Sequence, residues 1–532
     1  MSDTAWQILT MILYFLLMIG IGLWAYRKTS DVDDYMLGGR QLNPAVAALS
    51  AGASDMSGWL LMGLPGALYL SGVFEFWIAI GLTAGAWLNW KFVAPRLRSY
   101  TEVSNNSITV PSFLDSRLRD STHSLRIVSG FIILFYFTFY VSSGMVAGGT
   151  FFEGAFGVDY KLGMVIIAAI TVFYTLVGGF LAVSYTDAVQ GTIMLLALVL
   201  VPVAGVIYVG GFDIVLDTTR SIDPELLNPL KNVTAIGLIS AVAWGLGYVG
   251  QPHIIVRFMA LRSPKEAPAA RRIGIGWMLL AVFGALFTAL VGVAIFKHDE
   301  SLLANPEQVF IVLGQLLFHP MIAGFMLAAI LAAIMSTISS QLLVSSSALI
   351  EDVYMTFTNH KLSAKKGVML SRIAVAGIAV LASGLALNPN DTILKLVAFA
   401  WAGFGASFGP TIILSLYWRK LTGFGALAGM IMGAVTVAVW GNLDGGLLDL
   451  YEIVPGFIVN LVVTYVMSSL TYRPNTIIEK EFDTAVQLSK DWSNHEALAA
   501  EVRQIVANNP DGYKPRSATL VADDGSEVEL PK

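Results

Sequence analysis

The stretch Ala51-Gly52-Ala53-Ser54-Asp55-Met56-Ser57-Gly58-Trp59 lies inside an apolar run that starts near Asn43 and ends near Leu70. About 20 apolar residues suffice to cross a bilayer, yet the centre of this run holds an acid, two serines and two glycines. A carboxylate at the middle of a membrane helix costs about 2.5–3.5 kcal/mol on insertion scales, so it needs a partner or a purpose. Glycines loosen a helix, and serine hydroxyls compete for its backbone bonds. Irregular backbone at membrane depth is tolerated only where protein buries it or where it lines a polar cavity. The stretch predicts a broken helix that holds an ion and a small solute at the midplane.

The rest of the chain agrees with a membrane setting. Its 532 residues are 56% hydrophobic and 13% charged, with a mean hydropathy of +0.69. Soluble domains are about a quarter charged, so the chain reads as an all-α polytopic membrane protein. The absence of cysteine excludes disulfides, thiol chemistry and a cysteine-ligated metal. The histidines are scattered and form no metal-ligand pair at helical spacing. The start, Met1-Ser2-Asp3-Thr4, has no basic segment ahead of its apolar run, so a retained first span is expected.

Thirteen spans are expected, at roughly 5–26, 43–70, 74–95, 126–152, 162–183, 188–210, 232–256, 272–296, 321–350, 368–387, 393–417, 423–441 and 453–471. Basic residues orient the stack. With the N-terminus outside, nineteen lie in inner connections, among them Arg27, Lys28, Arg40, Arg117, Arg119, Arg257, Lys361 and Arg419. The outer connections hold only Lys161, Arg220, Lys231 and Lys297. Residues 472–532 form a polar inner tail in which 476–508 could make amphipathic helices and 509–532 reads as disordered. The tail is too short for an ATPase or kinase module, and no G-x-x-x-x-G-K-[ST] occurs. The chain is therefore expected not to be an enzyme, and its energy is expected to come from a gradient.

A second interruption falls in the seventh span, at Trp244-Gly-Leu-Gly-Tyr-Val-Gly-Gln-Pro-His253. Three glycines and a proline break a helix, although glycines also serve close helix packing. The two broken spans are five apart, the register in which inverted-repeat transporters place their discontinuous helices. Spans 2–6 (43–211) and 7–11 (212–418) would be the two repeats. Residues 1–42 precede them, and spans 12–13 (419–471) and the tail follow.

The ninth span brings Ala333, Ser336, Thr337 and Ser340 to one helical face. Hard cations take oxygen ligands, so these hydroxyls with carbonyls of the broken second span suit Na⁺. They could equally bond back to their own helix. Trp244 and Tyr248 share a face beside the second break and could wall an apolar ring. Tyr140 is a weaker candidate of the same sort. The half-helix ends at Ser57, Gly58 and Trp59 suit a carboxylate. Arg40 reads as a topology charge or a gate. Asp187 reads as an N-cap heading the sixth span, or as an ion-exit residue.

The motifs Gly-Gly-Arg at 38–40, Ser54-Asp-Met-Ser-Gly-Trp59, Trp244 to His253 and Met335-Ser-Thr337 together resemble the sodium/solute symporter family, over nearly the whole chain to about residue 475. The resemblance implies a five-plus-five inverted-repeat core working by alternating access in a bacterial cytoplasmic membrane. It implies Na⁺ held by carbonyls of Ala53, Met56 and Ala333 with hydroxyls of Ser336 and Thr337. It implies L-proline as the solute, at Ser57, Gly58, Tyr140, Trp244 and Tyr248, and the half-helix end at Trp59 joins this expected solute site. Asp55, Arg40, Asp187 and Ser340 would serve coupling or gating. Membrane lipid is the further expected partner, and neither nucleic acid nor an obligatory protein partner is expected. The rival expectations are another small solute (pantothenate, a sugar or a monocarboxylate) and a transporter-like membrane sensor.

Overall fold

The computed structural model describes residues 2–26, 37–177, 179–231, 233–358, 364–388 and 392–508, with two short strands at 519–521 and 527–529. Arg27, Lys28 and Lys361 of the inner charges, and most of the tail beyond residue 508, lie outside the described residues. Helices account for nearly all of the structure.

Span 1 is Asp3–Tyr26, and span 2 is Pro44–Gly58, Trp59–Gly63 and Leu64–Ser71 in succession. Span 3 runs from Phe76–Leu88 through Asn89–Val93 into Ala94–Val103. Spans 4, 5 and 6 are Ser124–Phe156, Tyr160–Val177 and Phe180–Val209. Span 7 is Ala235–Ala243, a 3₁₀ stretch at Trp244–Gly250, and Pro252–Met259. Spans 8 to 10 are Ala267–Phe296, Pro320–Ser347 and Ala364–Ala386. Spans 11 to 13 are Ile393–Tyr417, Gly423–Trp440 and Ile453–Thr471. Among the described residues, nine helices are long and apolar enough to cross a membrane. Spans 2, 3 and 7 are bent or interrupted, and span 5 is shorter.

Local chemistry explains the boundaries of the broken spans. Asn43 caps span 2 by accepting the Val46 amide at 2.9 Å, with Pro44 in the first turn. Thr234 caps span 7 through the Gly237 amide at 3.0 Å, and Pro252 opens its second half. The sixth span begins eight residues earlier than expected, at Phe180. Asp187 is therefore not its N-cap but lies two turns inside the helix, fully buried. The cause is that Ser184, Thr186 and Asp187 face the protein interior, so their polarity masks the start of a helix that hydropathy alone begins too late. The fifth span correspondingly stops at Val177 rather than near 183.

The C-terminal tail is a built part of the molecule. Thr476–Lys490 and His495–Asn508 are both helical. The first lies against the C-terminal end of span 3, where Ser99 donates to the Ala485 carbonyl at 2.9 Å and Arg119 pairs with the buried Glu481. Val103 packs with Leu488 and Val502. Arg117, also buried, is sandwiched between the Tyr100 and Phe482 rings at 5.0 and 5.6 Å. Thr519–Val521 pairs antiparallel with Glu527–Glu529, a departure from the disordered reading of that stretch.

Candidate functional site

The break in span 2 falls on Ser57, whose φ of 46° and ψ of −166° leave the helical region. A left-handed conformation at a non-glycine residue costs of order 1–3 kcal/mol and persists only where its surroundings hold it. Here the Trp59 amide donates to Ser57 Oγ at 3.1 Å and to the Met56 carbonyl. Gly52 and Gly58 have helical backbones and serve packing instead: a Cβ would lie 2.9 Å from the Trp277 ring at Gly52 and 2.8 Å from Ala147 Cβ at Gly58.

The ninth span meets this break. Ser336 Oγ donates to the Ala53 carbonyl at 2.8 Å and Thr337 Oγ1 approaches the same oxygen at 3.4 Å. Ser336 also lies 3.2 Å from the Ala333 carbonyl of its own helix. Back-bonding and convergence on span 2 thus coexist. Every oxygen gathered here is neutral, and the Met56 carbonyl, though engaged by one amide, keeps a second lone pair. Such a set suits a small hard cation.

The Asp55 side chain points away from these hydroxyls. It is buried and accepts a hydrogen bond from the Tyr248 hydroxyl, so the broken segment of span 2 is tied to that of span 7. The Tyr140 hydroxyl lies 3.5 Å from the Asp55 carbonyl. A small pocket is lined by Asp55, Met56, Trp59, Tyr140, Trp244 and Trp401, among others. Trp244 stacks with Trp59 at 6.2 Å, with Trp401 at 6.4 Å and with Tyr451 at 5.4 Å. The Trp401 indole donates to the Trp244 carbonyl at 2.7 Å, and its ring meets Tyr248 edge-on at 5.1 Å. The Trp59 indole nitrogen is buried without a partner among the described residues. The pocket thus combines aromatic walls, one free donor and a nearby carboxylate.

One helical turn further toward the arginine-rich side lies a second cluster. The Arg257 guanidinium donates to Asp187 Oδ2 at 3.0 Å, to Ser50 Oγ at 3.0 Å and to Ser340 Oγ at 2.7 Å. Ser50 in turn donates to Asp187 at 2.9 Å. Both charges are essentially inaccessible. Arg257, counted in the sequence among inner-loop charges, is an interior residue. Asp187 and Ser340 therefore belong together, separate from the pocket. Arg40 stands apart from both clusters. Held on a left-handed backbone (φ 55°), it donates to the Met259 carbonyl at 2.8 Å, Thr101 Oγ1 at 3.0 Å and the Ser107 carbonyl at 2.9 Å. It ties together the C-terminal ends of spans 3 and 7 and is mostly buried.

Sequence reasoning missed Trp401, Tyr451, Arg257 and Asn89. Asn89, in the wound-out stretch of span 3, donates to the Tyr248 carbonyl at 3.1 Å. Its position in the middle of an apolar span was the available signal. Trp401 and Tyr451 carried none, being two aromatic residues in an aromatic-rich chain.

A model of the sodium:solute symporter family matches residues 35–433. The high-affinity proline transporter PutP of Bacillus subtilis (strain 168) is 55% identical over 467 residues, covering 88% of this chain and 98% of that protein. The sodium/proline symporter of Staphylococcus aureus (strain JH9) is 50% identical over 493 residues, covering 90% and 96%. Among solved structures, a Na⁺-coupled sialic acid symporter in a substrate-bound, outward-open state superposes with a TM-score of 0.74 at 18% identity, covering 87% of this chain and 98% of that one. The structural likeness shows a shared all-helical fold with inverted repeats.

Proposed function

The chain belongs to the sodium:solute symporter family, and from that premise we propose that it imports L-proline coupled to Na⁺ by alternating access. It is a multi-pass membrane protein and not an enzyme. The observation that carries the reading is the meeting of Ser336 and Thr337 with the Ala53 carbonyl beside the break at Ser57. Na⁺ there takes the Ala53, Met56 and Ala333 carbonyls and the two hydroxyls. Proline takes the neighbouring pocket, its ring against Tyr140, Trp244 and Tyr248 and its carboxylate near Ser57, Gly58 and Trp59.

Coupling follows from shared backbone. The same few residues of span 2 supply the ion's carbonyls and the solute's wall, so each ligand orders the segment for the other, which is positive cooperativity. Asp55 carries this to span 7 through Tyr248. Spans 2–6 and 7–11 are the two repeats that rock, with Arg40 closing the inner side while it bridges spans 3 and 7. Asp187 and Ser340, one turn inward, lie on the ion's way out. One charge crossing about 100 mV releases roughly 2.3 kcal/mol, enough to concentrate a neutral zwitterion about fortyfold.

The basic inner connections support a bacterial cytoplasmic-membrane orientation with the N-terminus outside and the tail inside. The deciding experiment is proline uptake into proteoliposomes with and without an inward Na⁺ gradient, with pantothenate, sugars and monocarboxylates as competitors. Uptake indifferent to Na⁺, or blocked by a competitor better than by proline, would refute the proposal.

A further inference from the structure

We infer that a pocket at the inner membrane boundary binds the phosphate headgroup of an anionic phospholipid. The inference rests on the membrane placement of the chain and not on the identity of the transported solute. The pocket has a volume of about 590 Å³ and lies between the start of span 4, the start of span 12 and the end of span 13. These ends place it at the level where a helix leaves the bilayer.

Its charge favours an anion. Arg473 lines the pocket, is exposed, and takes part in no hydrogen bond or ion pair among the described residues. Arg119 forms part of the wall and, although one of its nitrogens pairs with Glu481, its Nε is buried without a partner. The one acid on the wall, Asp120, turns both its oxygens to its own loop and the helix that follows. Its Oδ1 accepts from the Thr122 amide and hydroxyl, and its Oδ2 from Ser124 Oγ and the Leu125 amide. The long helix beginning at Gly423 starts at this pocket and adds the partial positive charge of its first turn, whereas that of the helix beginning at Ser124 is met by Asp120. The Ser121 hydroxyl supplies a further donor.

Its edge favours a lipid over a free ion. Leu470 and Phe424 line the same pocket and are 76% and 56% exposed. A soluble phosphate would leave these side chains unused, whereas the glycerol and upper acyl chains of a lipid would cover them. Basic pockets between membrane helices on the inner side commonly take anionic headgroups.

The test is native mass spectrometry of the delipidated full-length protein with phosphatidylglycerol, phosphatidylcholine or inorganic phosphate added. Phosphatidylglycerol should give one adduct that survives activation, phosphatidylcholine should not, and millimolar phosphate should fail to displace it. Arg473→Gln should weaken that adduct about fivefold, the value of one basic residue at an anionic surface, and Arg473→Lys should largely retain it. The Gln variant should elute and transport as the wild type does, which separates a lost lipid from a lost fold. Equal binding of phosphatidylcholine, an unchanged Gln variant, or displacement by phosphate would each overturn the assignment.

Discussion

Asp187 and Arg257, 70 positions apart in the chain, meet at 3.0 Å in the interior with essentially no solvent access. Removing one member of a buried pair leaves an uncompensated charge and costs about 3–5 kcal/mol. Asp187→Asn and Arg257→Gln should each lower the melting temperature of the purified protein sharply. Combining them should recover part of that loss, because neither charge is then stranded. A double variant as unstable as the two losses summed would show that the two residues do not act as a pair.

Ser336→Ala and Thr337→Ala should each raise the Na⁺ concentration for half-maximal uptake about tenfold, since a lost oxygen partner is worth roughly 1–3 kcal/mol. Thr337→Ser keeps the hydroxyl and should stay near the wild type. The measurement is proline uptake across a Na⁺ series at fixed potential. An unchanged Na⁺ dependence in the double alanine variant would place the ion elsewhere.

Gly247 is packed against Trp401, and a Cβ there would fall 1.9 Å from the indole nitrogen. Gly247→Ala should destabilise the protein by about 1–3 kcal/mol or more, as overpacking does, and abolish high-affinity uptake. Adding Trp401→Ala makes room and should restore folding, read by melting temperature, without restoring affinity. A Gly247→Ala variant with normal stability would mean that the aromatic wall yields easily.

Burial pushes the Glu481 carboxyl up to about 7 although Arg119 and Arg117 oppose this. The docked tail then binds more protons than the released tail, whose glutamate titrates near 4.5. By linkage, docking is strongest below the lower value and weakens as pH rises toward 7. Limited proteolysis between residues 472 and 508 should therefore be slower at pH 5.5 than at pH 7.5. Glu481→Gln should remove the difference. Equal cleavage of the wild type at both values would contradict the linkage.

Much of this architecture was legible in the sequence because the bilayer demands it. Most unbroken helices are continuous apolar runs, and the interruptions of spans 2 and 7 announce themselves by glycine, proline and an acid. The finer features depend on what lies across from a residue. Ser57 rather than a glycine carries the break, since Gly52 and Gly58 are needed for close approach to Trp277 and Ala147. Arg257 looked like any inner arginine until Asp187, Ser50 and Ser340 appeared around it. Trp401, in span 11, and Tyr451, just ahead of span 13, lie far along the chain, and no local pattern ties them to Trp244.

Arg119 and Glu481 are 362 residues apart. The loop that carries Arg117 and Arg119 is made early, whereas the helix that covers it follows the last span. Arg117 is fully buried in the folded protein, and Phe482 of that helix supplies one side of its cover. This face is thus finished only by a helix that follows every span. A chain without that helix would keep all its spans and still present an uncovered basic loop.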